Sequence, residues 1–103
     1  METKSEIIFA EKKLKDSFVN LEKGKFEEKE LFKWLSRAIN DLSNNAFCGI
    51  QIPKTLIPKE YLRYNITNLW KCDLPKGWRL IYSVKSGEIS ILSWCWNVRL
   101  ALT

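Results

Sequence analysis

The 103-residue chain contains no histidine, only three prolines and three cysteines, and no 18-residue apolar run. The missing histidines exclude a ribonuclease that relies on a histidine pair. Cys48, Cys72 and Cys95 form no CxxC pair, so we expect neither a disulfide framework nor a zinc site and interpret all three as small buried apolar residues. With no apolar leader and no apolar run, the sequence predicts a cytoplasmic protein without a membrane partner.

Acidic residues are scarce in the second half of the chain. Residues 46–103 contain eight Lys or Arg and three Asp or Glu, whereas residues 1–45 contain nine of each. A metal nuclease needs clustered carboxylates, and no P-loop, GxSxG or GxGxxG motif occurs, so we expect no metal and no cofactor. The net charge of +5 therefore lies in the second half. This imbalance indicates an anionic partner such as nucleic acid, with ordinary solubility charge as the alternative.

The first half predicts a strand followed by two helices. Residues 5–10 (SEIIFA) carry a short β-branched run that favours a buried strand. Apolar residues then recur every three or four positions in two stretches, ending near Gly24 and Asn44, which is typical of amphipathic helices. Because few residues join them, the helices should form an antiparallel hairpin. The two stripes are Ala10, Leu14, Phe18 and Leu21, then Leu31, Trp34, Leu35, Ala38 and Leu42.

The second half predicts an irregular connection and then three strands. Pro53 and Pro58 interrupt residues 46–67, which we interpret as a connecting segment with a possible helical turn at 59–63. Strands follow at residues 68–73, 78–84 and 88–94, separated by turns, as in an antiparallel meander. The sequence thus predicts a single α+β domain over residues 1–103, with the helices packed on one face of a small sheet.

The turn between the first two of these strands brings basic residues together. With three residues in the loop, Asp73 pairs with Arg79 and Lys71 with Ile81, so Lys71 and Arg79 are diagonal neighbours on one sheet face. Such a face could hold a phosphodiester while a 2′-hydroxyl attacks it, since lysine, arginine and tyrosine can move protons and stabilise phosphoryl charge. The alternative is an Asp73–Arg79 ion pair without chemistry. The opposite, core-facing side would carry Trp70, Cys72, Leu80 and Tyr82.

Residues 69–84 (LWKCDLPKGWRLIYSV) resemble the RelE/ParE superfamily of toxins. The family pattern is a strand, a turn and then Gly-aromatic-Arg-Leu-(Ile/Val)-Tyr, which residues 77–82 match at every position. The stretches FAEKKLKDSF and FCGIQIPKTLIPKEY resemble archaeal members. The resemblance covers about residues 5–93 and implies a β-α-α-β-β-β fold.

The resemblance implies a toxin of a type II toxin–antitoxin system. RelE-like members enter the ribosomal A site and cut messenger RNA by 2′-hydroxyl attack without metal. It implies transition-state stabilisation by Arg79 and proton abstraction by Lys71, with Arg99 as the remaining basic candidate after the last strand. Asp73 departs from members that have a second base there. The basic residues expected to hold RNA are Lys54, Lys59, Arg63, Lys76 and Lys85.

The C-terminal residues SWCWNVRLALT depart from the family pattern, because no tyrosine follows Tyr82. A catalytically silent homologue that binds only an antitoxin is therefore an alternative, as is a ParE-like inhibitor of DNA gyrase. The apolar stretch from Trp94 to Leu102 predicts a binding surface for a small antitoxin protein. The ribosome and its mRNA are the other expected partners.

Overall fold

A computed structural model describes residues 4–96 and shows an α+β fold in which two helices pack on one face of a five-stranded mixed sheet. The strand order is β1-β5-β4-β3-β2. Within residues 4–96 no helix is long and apolar enough to cross a membrane. The elements are β1 (Glu6–Phe9), α1 (Lys12–Leu21), α2 (Phe26–Asn44), β2 (Ile50–Ile52), β3 (Leu69–Asp73), β4 (Trp78–Lys85) and β5 (Glu88–Trp96).

Helix α2 contributes most of the helical residues that are buried in the core. Its buried residues recur every three or four positions, so they form one stripe against the sheet. At its start the Glu28 side chain accepts a hydrogen bond from the Lys25 backbone N–H at 2.9 Å, which satisfies a donor that the helix leaves unpaired. A Cβ on Gly24 would lie 2.5 Å from the same carboxylate, so glycine leaves room for this cap. The stripe consists of Leu31, Leu35, Ala38 and Leu42.

Helix α1 begins later than its apolar spacing predicts. Ala10, expected in its stripe, instead donates its N–H to the Ile91 carbonyl at 2.9 Å and so extends the pairing of β1 with β5. The helix itself lies at the edge of the core, where Phe18 contacts Phe9 and Phe32 at ring-centroid distances of 5.5 and 4.8 Å. Ala10 was predicted both at the end of the strand and in the helix stripe, and only the strand assignment agrees with this hydrogen bond.

The sheet contains a strand that the sequence did not predict. Residues 50–52, assigned to an irregular connection, form β2, in which Ile52 pairs with Leu69 and Ile50 with Lys71. Three residues are too few for alternation to be recognised. The other predicted strands are present: β3, β4 and β5 pair antiparallel in chain order, and β1 lies parallel to β5.

The face of the sheet under the helices, the helix face, carries the larger core. Its centre is Tyr82, whose side chain is fully buried. The Tyr82 hydroxyl accepts a hydrogen bond from the Gly49 N–H at 3.2 Å and donates one to the Ala46 carbonyl at 3.3 Å. A Cβ on Gly49 would collide with this hydroxyl, so residue 49 must be glycine for the loop to approach. Around Tyr82 pack Leu31, Leu35, Ala38, Leu42, Leu80, Ile89 and Ile91.

The opposite face is covered as well, contrary to the expectation of an open basic surface. Residues 53–68, here called the covering segment, run over it in short 3-10 turns and enclose a second core. A β-bulge assists: Ile81 lies opposite Ser93 but Tyr82 lies opposite Ile91, which leaves Leu92 as an extra residue that fills this core. The core of this segment face consists of Ile52, Tyr61, Leu69, Ile81 and Leu92.

The covering segment spans the sheet from one edge to the other. It leaves edge strand β2 and reaches the residues just after β1, the opposite edge. There Glu11 accepts hydrogen bonds from Arg63 Nη2 at 3.2 Å and from the Tyr64 hydroxyl at 2.8 Å. These contacts fix the far end of the segment.

Candidate functional site

The candidate site is positioned by the hairpin of β3 and β4. Its three-residue turn places Lys76 and Gly77 at φ angles of 60° and 85°, a conformation that glycine adopts without strain. The Leu74 N–H closes the turn by donating to the Trp78 carbonyl at 2.8 Å. The predicted register is confirmed, with Asp73 opposite Arg79 and Lys71 opposite Ile81.

The structure brings Arg79 and Lys71 to the same face of the hairpin. Both side chains lie on the segment face, away from the Leu80 and Tyr82 core, and both are partly exposed. Arg79 Nε lies 3.3 Å from Asp73 Oδ1, with exposed fractions of 27% and 58% for the two side chains. The predicted ion pair is therefore present, at a position that solvent and a ligand can reach.

Three residues at this end of the sheet were missed by sequence reasoning. Cys95 lies opposite Arg79, and Ser93 lies opposite Ile81, so both share the face of Arg79. The Tyr61 hydroxyl, from the covering segment, lies 2.8 Å from Ser93 Oγ. Alternation in β5 could have indicated Ser93 and Cys95, whereas Tyr61 arrives from 32 residues away with no sequence signal.

These polar groups stay protonated near neutral pH. Burial raises the pKa of Tyr61, although its hydrogen bond to Ser93 opposes the shift. Burial also raises the pKa of Cys95, while Ser93 and nearby Arg79 lower it and Glu60 raises it. A neutral phenol and a neutral thiol can donate hydrogen bonds, but they are poor bases and nucleophiles.

The cysteines fit the sequence expectation only in part. Cys72 and Cys95 are partly buried, but Cys48 is exposed because it lies in the loop before β2. Burial is the largest cause that raises the pKa of all three thiols. Within the described part of the chain, no group of three or more His, Cys, Asp or Glu side chains could hold a metal ion.

Acidic residues offset part of the positive charge of the second half. Asp73 pairs with Arg79, Glu88 lies opposite Lys85 in the β4–β5 register, and Glu60 is close enough to raise the pKa of Cys95. These are the three acidic residues of residues 46–103. The net charge of +5 already subtracts these three carboxylates, two of which lie opposite the basic residues Arg79 and Lys85.

The remaining predicted basic residues do not converge on Arg79. Lys54 and Lys59 are exposed on the covering segment, and Arg63 binds Glu11 and stacks on Tyr64, with its guanidinium carbon 4.8 Å from the ring centroid. Lys85 ends β4, six residues from Arg79, which corresponds to about 20 Å along a strand.

Lys76 lies closer to the site, in the turn before Arg79. Its carbonyl accepts a hydrogen bond from Trp96 Nε1 at 2.9 Å. Trp96 is 60% exposed, and together with Phe26, Trp34 and Trp78 it lines an aromatic groove of about 270 Å³. The other lining residues of this groove are charged: Glu27, Glu30 and Lys76. Arg99 and most of the apolar C-terminal stretch lie outside the described residues.

Comparisons with protein-family models, with curated proteins and with solved structures find no match to this chain.

Proposed function

We propose that this chain is a RelE-like toxin that cleaves messenger RNA on the ribosome without a metal. The observation that carries the proposal is the placement of Arg79 and Lys71 as diagonal neighbours on one face of the β3–β4 hairpin, both partly exposed. The Gly-aromatic-Arg-Leu-Ile-Tyr pattern of residues 77–82 and the order strand, helix, helix, then β3 to β5 support a RelE-like topology. A strand β2 is added to that order at the sheet edge.

The chemistry assigned to the site is a transesterification. The RNA 2′-oxygen attacks the neighbouring phosphorus and loses its proton, the bond to the 5′-oxygen breaks, and that oxygen takes up a proton as it leaves. Arg79 stabilises the extra negative charge on the phosphoryl oxygens with its planar guanidinium. Lys71, as an ammonium, adds positive charge beside the attacking oxygen and so favours its deprotonation, with the proton passing to solvent.

A second candidate, the catalytically silent homologue, is favoured by the Asp73–Arg79 ion pair. A phosphate must displace this carboxylate before Arg79 can bind it. Exposed ion pairs contribute about 1 kcal/mol or less, so displacement by a doubly hydrogen-bonded phosphate is feasible. Asp73 is then expected to slow mRNA cleavage rather than to prevent it.

The proposal includes a small antitoxin partner. The aromatic groove lined by Phe26, Trp34, Trp78 and Trp96 exposes apolar surface that an amphipathic segment could fill. Co-expression with a small protein encoded beside this gene should give a complex that Phe26→Ala weakens. Recovery of only the separate chains would remove this part of the proposal.

Cleavage should be measured by primer extension on mRNA after in vitro translation with purified protein. Arg79→Ala should slow cleavage by about a hundredfold to a thousandfold, as does loss of one preorganised oxyanion donor in other enzymes. Arg79→Lys should restore it only in part, because an ammonium lacks the two-point grip. Asp73→Asn should accelerate cleavage, since the carboxylate that competes with the phosphate for Arg79 is then replaced by a neutral amide.

The matched control is Lys33→Ala, which removes a positive charge from an exposed position on α2. It should leave the rate unchanged, and circular dichroism should show that every variant is folded. Equal cleavage by wild type and Arg79→Ala would overturn the role of this arginine. If neither wild type nor Asp73→Asn cleaves on competent ribosomes, the silent homologue is the correct alternative.

A further inference from the structure

A cavity of about 450 Å³ lies on the helix face, at the end of the sheet formed by the β4–β5 turn and away from Arg79 at the start of β4. Its size falls within the range of about 300–1,000 Å³ typical of small-molecule sites. The floor and walls come from the loop before β2, from β3 and from the turn between β4 and β5. The ten described lining residues include one lysine and no carboxylate; those used below are Phe47, Gln51, Trp70 and Lys85.

One side of the cavity is an aromatic pair. The Phe47 and Trp70 ring centroids are 5.3 Å apart at an interplanar angle of 55°, and Trp70 stacks in turn on buried Tyr82 at 6.2 Å and 22°. Phe47 is nevertheless 63% exposed. A large exposed aromatic ring beside a cavity is typical of a surface that stacks on a planar ligand.

The exposed ring is held in place from within the fold. The Tyr82 hydroxyl bonds the Ala46 carbonyl and the Gly49 N–H on either side of Phe47, and the Phe47 N–H donates to Asn45 Oδ1 at 3.1 Å. The loop therefore presents Phe47 outward without requiring the ring to become ordered on binding. This preorganisation reduces the entropic cost of taking up a ligand.

Polar groups surround the aromatic pair. Gln51, opposite Trp70 in the β2–β3 register, is exposed, and its side-chain amide has no hydrogen-bond partner among residues 4–96. An amide can donate to and accept from the edge of a nucleobase. Lys85 lines the rim and is exposed, so its ammonium could contact a phosphate attached to a stacked base, although Glu88 lies opposite it in the β4–β5 register.

We propose that this cavity is a stacking site for a nucleobase of single-stranded RNA, with Phe47 and Trp70 as the platform and Lys85 as the phosphate contact. The inference rests on the proposed function for the choice of RNA. It goes beyond that function, because it assigns an anchoring site on the opposite face of the sheet from the cleavage site. A strand held here would contact the protein at a second point, separate from Arg79.

The test is ribosome-free binding of a 5′-labelled octauridylate, followed by fluorescence anisotropy. Phe47→Ala should weaken binding by about fivefold or more, the lower limit for loss of one base–aromatic stack. Lys85→Ala should lower the slope of log affinity against log salt by about 0.7, the value for one contact to a single-strand phosphate. The control is Val19→Ala, at an exposed apolar residue of α1 outside the cavity, and it should leave affinity unchanged.

An abasic octamer with the same number of phosphates separates stacking from charge. It should bind at least about fivefold more weakly than octauridylate. Equal binding of the two oligomers, or equal affinities of Phe47→Ala and Val19→Ala, would overturn the proposal. Uridine monophosphate tests whether a single nucleotide is enough for binding. If it shifts the NMR resonance of the Trp70 indole N–H, free nucleotides also bind at the site. If only the octamer shifts this resonance, binding requires a strand.

This experiment is independent of cleavage. Stacking at Phe47 without any effect of Arg79→Ala on mRNA cleavage would leave the site in place and remove the proposed nuclease function. If cleavage depends on Arg79 but Phe47→Ala does not change octauridylate binding, the proposed nuclease function stands and the stacking site is removed.

Discussion

The two faces of the sheet are both buried, but they are covered in different ways. The helix face is closed by α2, whose apolar stripe meets Leu80 and Tyr82. The segment face is closed by residues 53–68, which have short 3-10 turns and contribute Tyr61 to a smaller core. A regular helix contacts the sheet with side chains that recur at every turn. In an irregular segment, each side chain that contacts the sheet depends on its own local backbone conformation. The candidate cleavage site lies on this second face, at the end of the sheet where Tyr61 of the covering segment reaches Ser93.

Adjacent residues of β4 allow the two covers to be compared directly. Leu80 and Ile81 are both fully buried, but they face the helix core and the segment core respectively. Leu80→Ala and Ile81→Ala should each lower the free energy of unfolding by about 2–5 kcal/mol, because both leave a cavity in a packed core. Urea denaturation monitored by circular dichroism at pH 7 measures both.

Leu62→Ala is the control, since Leu62 belongs to the covering segment but is 53% exposed. Its free energy of unfolding should change by no more than about 0.5 kcal/mol. An Ile81→Ala variant as stable as the Leu62→Ala control would show that the covering segment does not pack as described. The side chains of the two sheet faces would then differ in how deeply they are buried, as well as in whether a regular helix or an irregular segment covers them.

The same contrast explains what the sequence could predict. The bounds of α2 follow from its apolar spacing, and the β3–β4 register follows from a three-residue turn, so the neighbourhood of Lys71 and Arg79 was predictable. The covering segment has neither property. Pro53 and Pro58 interrupt it, and its contacts are with residues far along the chain.

Side chains that depend on this segment were therefore not predictable. Tyr61 reaches Ser93 across 32 positions, and no local pattern specifies such a pair. Conversely, two local patterns overlapped at Ala10, a strand and a helix stripe, and the pairing with Ile91 shows that only the strand assignment holds. Arg63 was expected to bind RNA from its charge alone, whereas its position depends on Glu11 at the other edge of the sheet.

The two buried tyrosines provide an intermediate test. Tyr82→Phe should cost about 1–3 kcal/mol of unfolding free energy, because it leaves the Gly49 N–H and the Ala46 carbonyl without their partner. Tyr61→Phe should cost less, about 0.5–1.5 kcal/mol, since partly exposed Ser93 can bond water instead. Equal costs would indicate that the two covers exclude water equally well.

The pH dependence of stability should follow from the same tyrosines. Burial raises the pKa of Tyr61 and of Tyr82 above the ordinary value of about 10, so the folded state favours the neutral phenol. This contribution is complete below about pH 10 and is lost as pH rises above it, because the unfolded chain then releases protons that the folded chain retains. Urea midpoints measured from pH 8 to 11 should fall, and Tyr82→Phe should fall less steeply than wild type. A parallel decline in both proteins would contradict the role of Tyr82.

The smallest expected effect concerns the far end of the covering segment. Glu11→Gln keeps the shape of the side chain but removes the charge that Arg63 and the Tyr64 hydroxyl bind. Because this network is largely exposed, the global unfolding midpoint should stay nearly constant. The change should be local: amides of residues 59–66 should exchange with solvent at most about fivefold faster, a factor in keeping with the weak energies of exposed ion pairs. The difference from wild type should shrink in 1 M salt, where the screening length is about 3 Å.

The control is Glu22→Gln, at an exposed position after α1. Equal exchange in both variants would mean that the segment is held by its apolar side chains alone. Faster exchange throughout β4 would mean that the Glu11 contact supports the whole segment core, and the two covers of the sheet would then differ in cooperativity as well as in regularity.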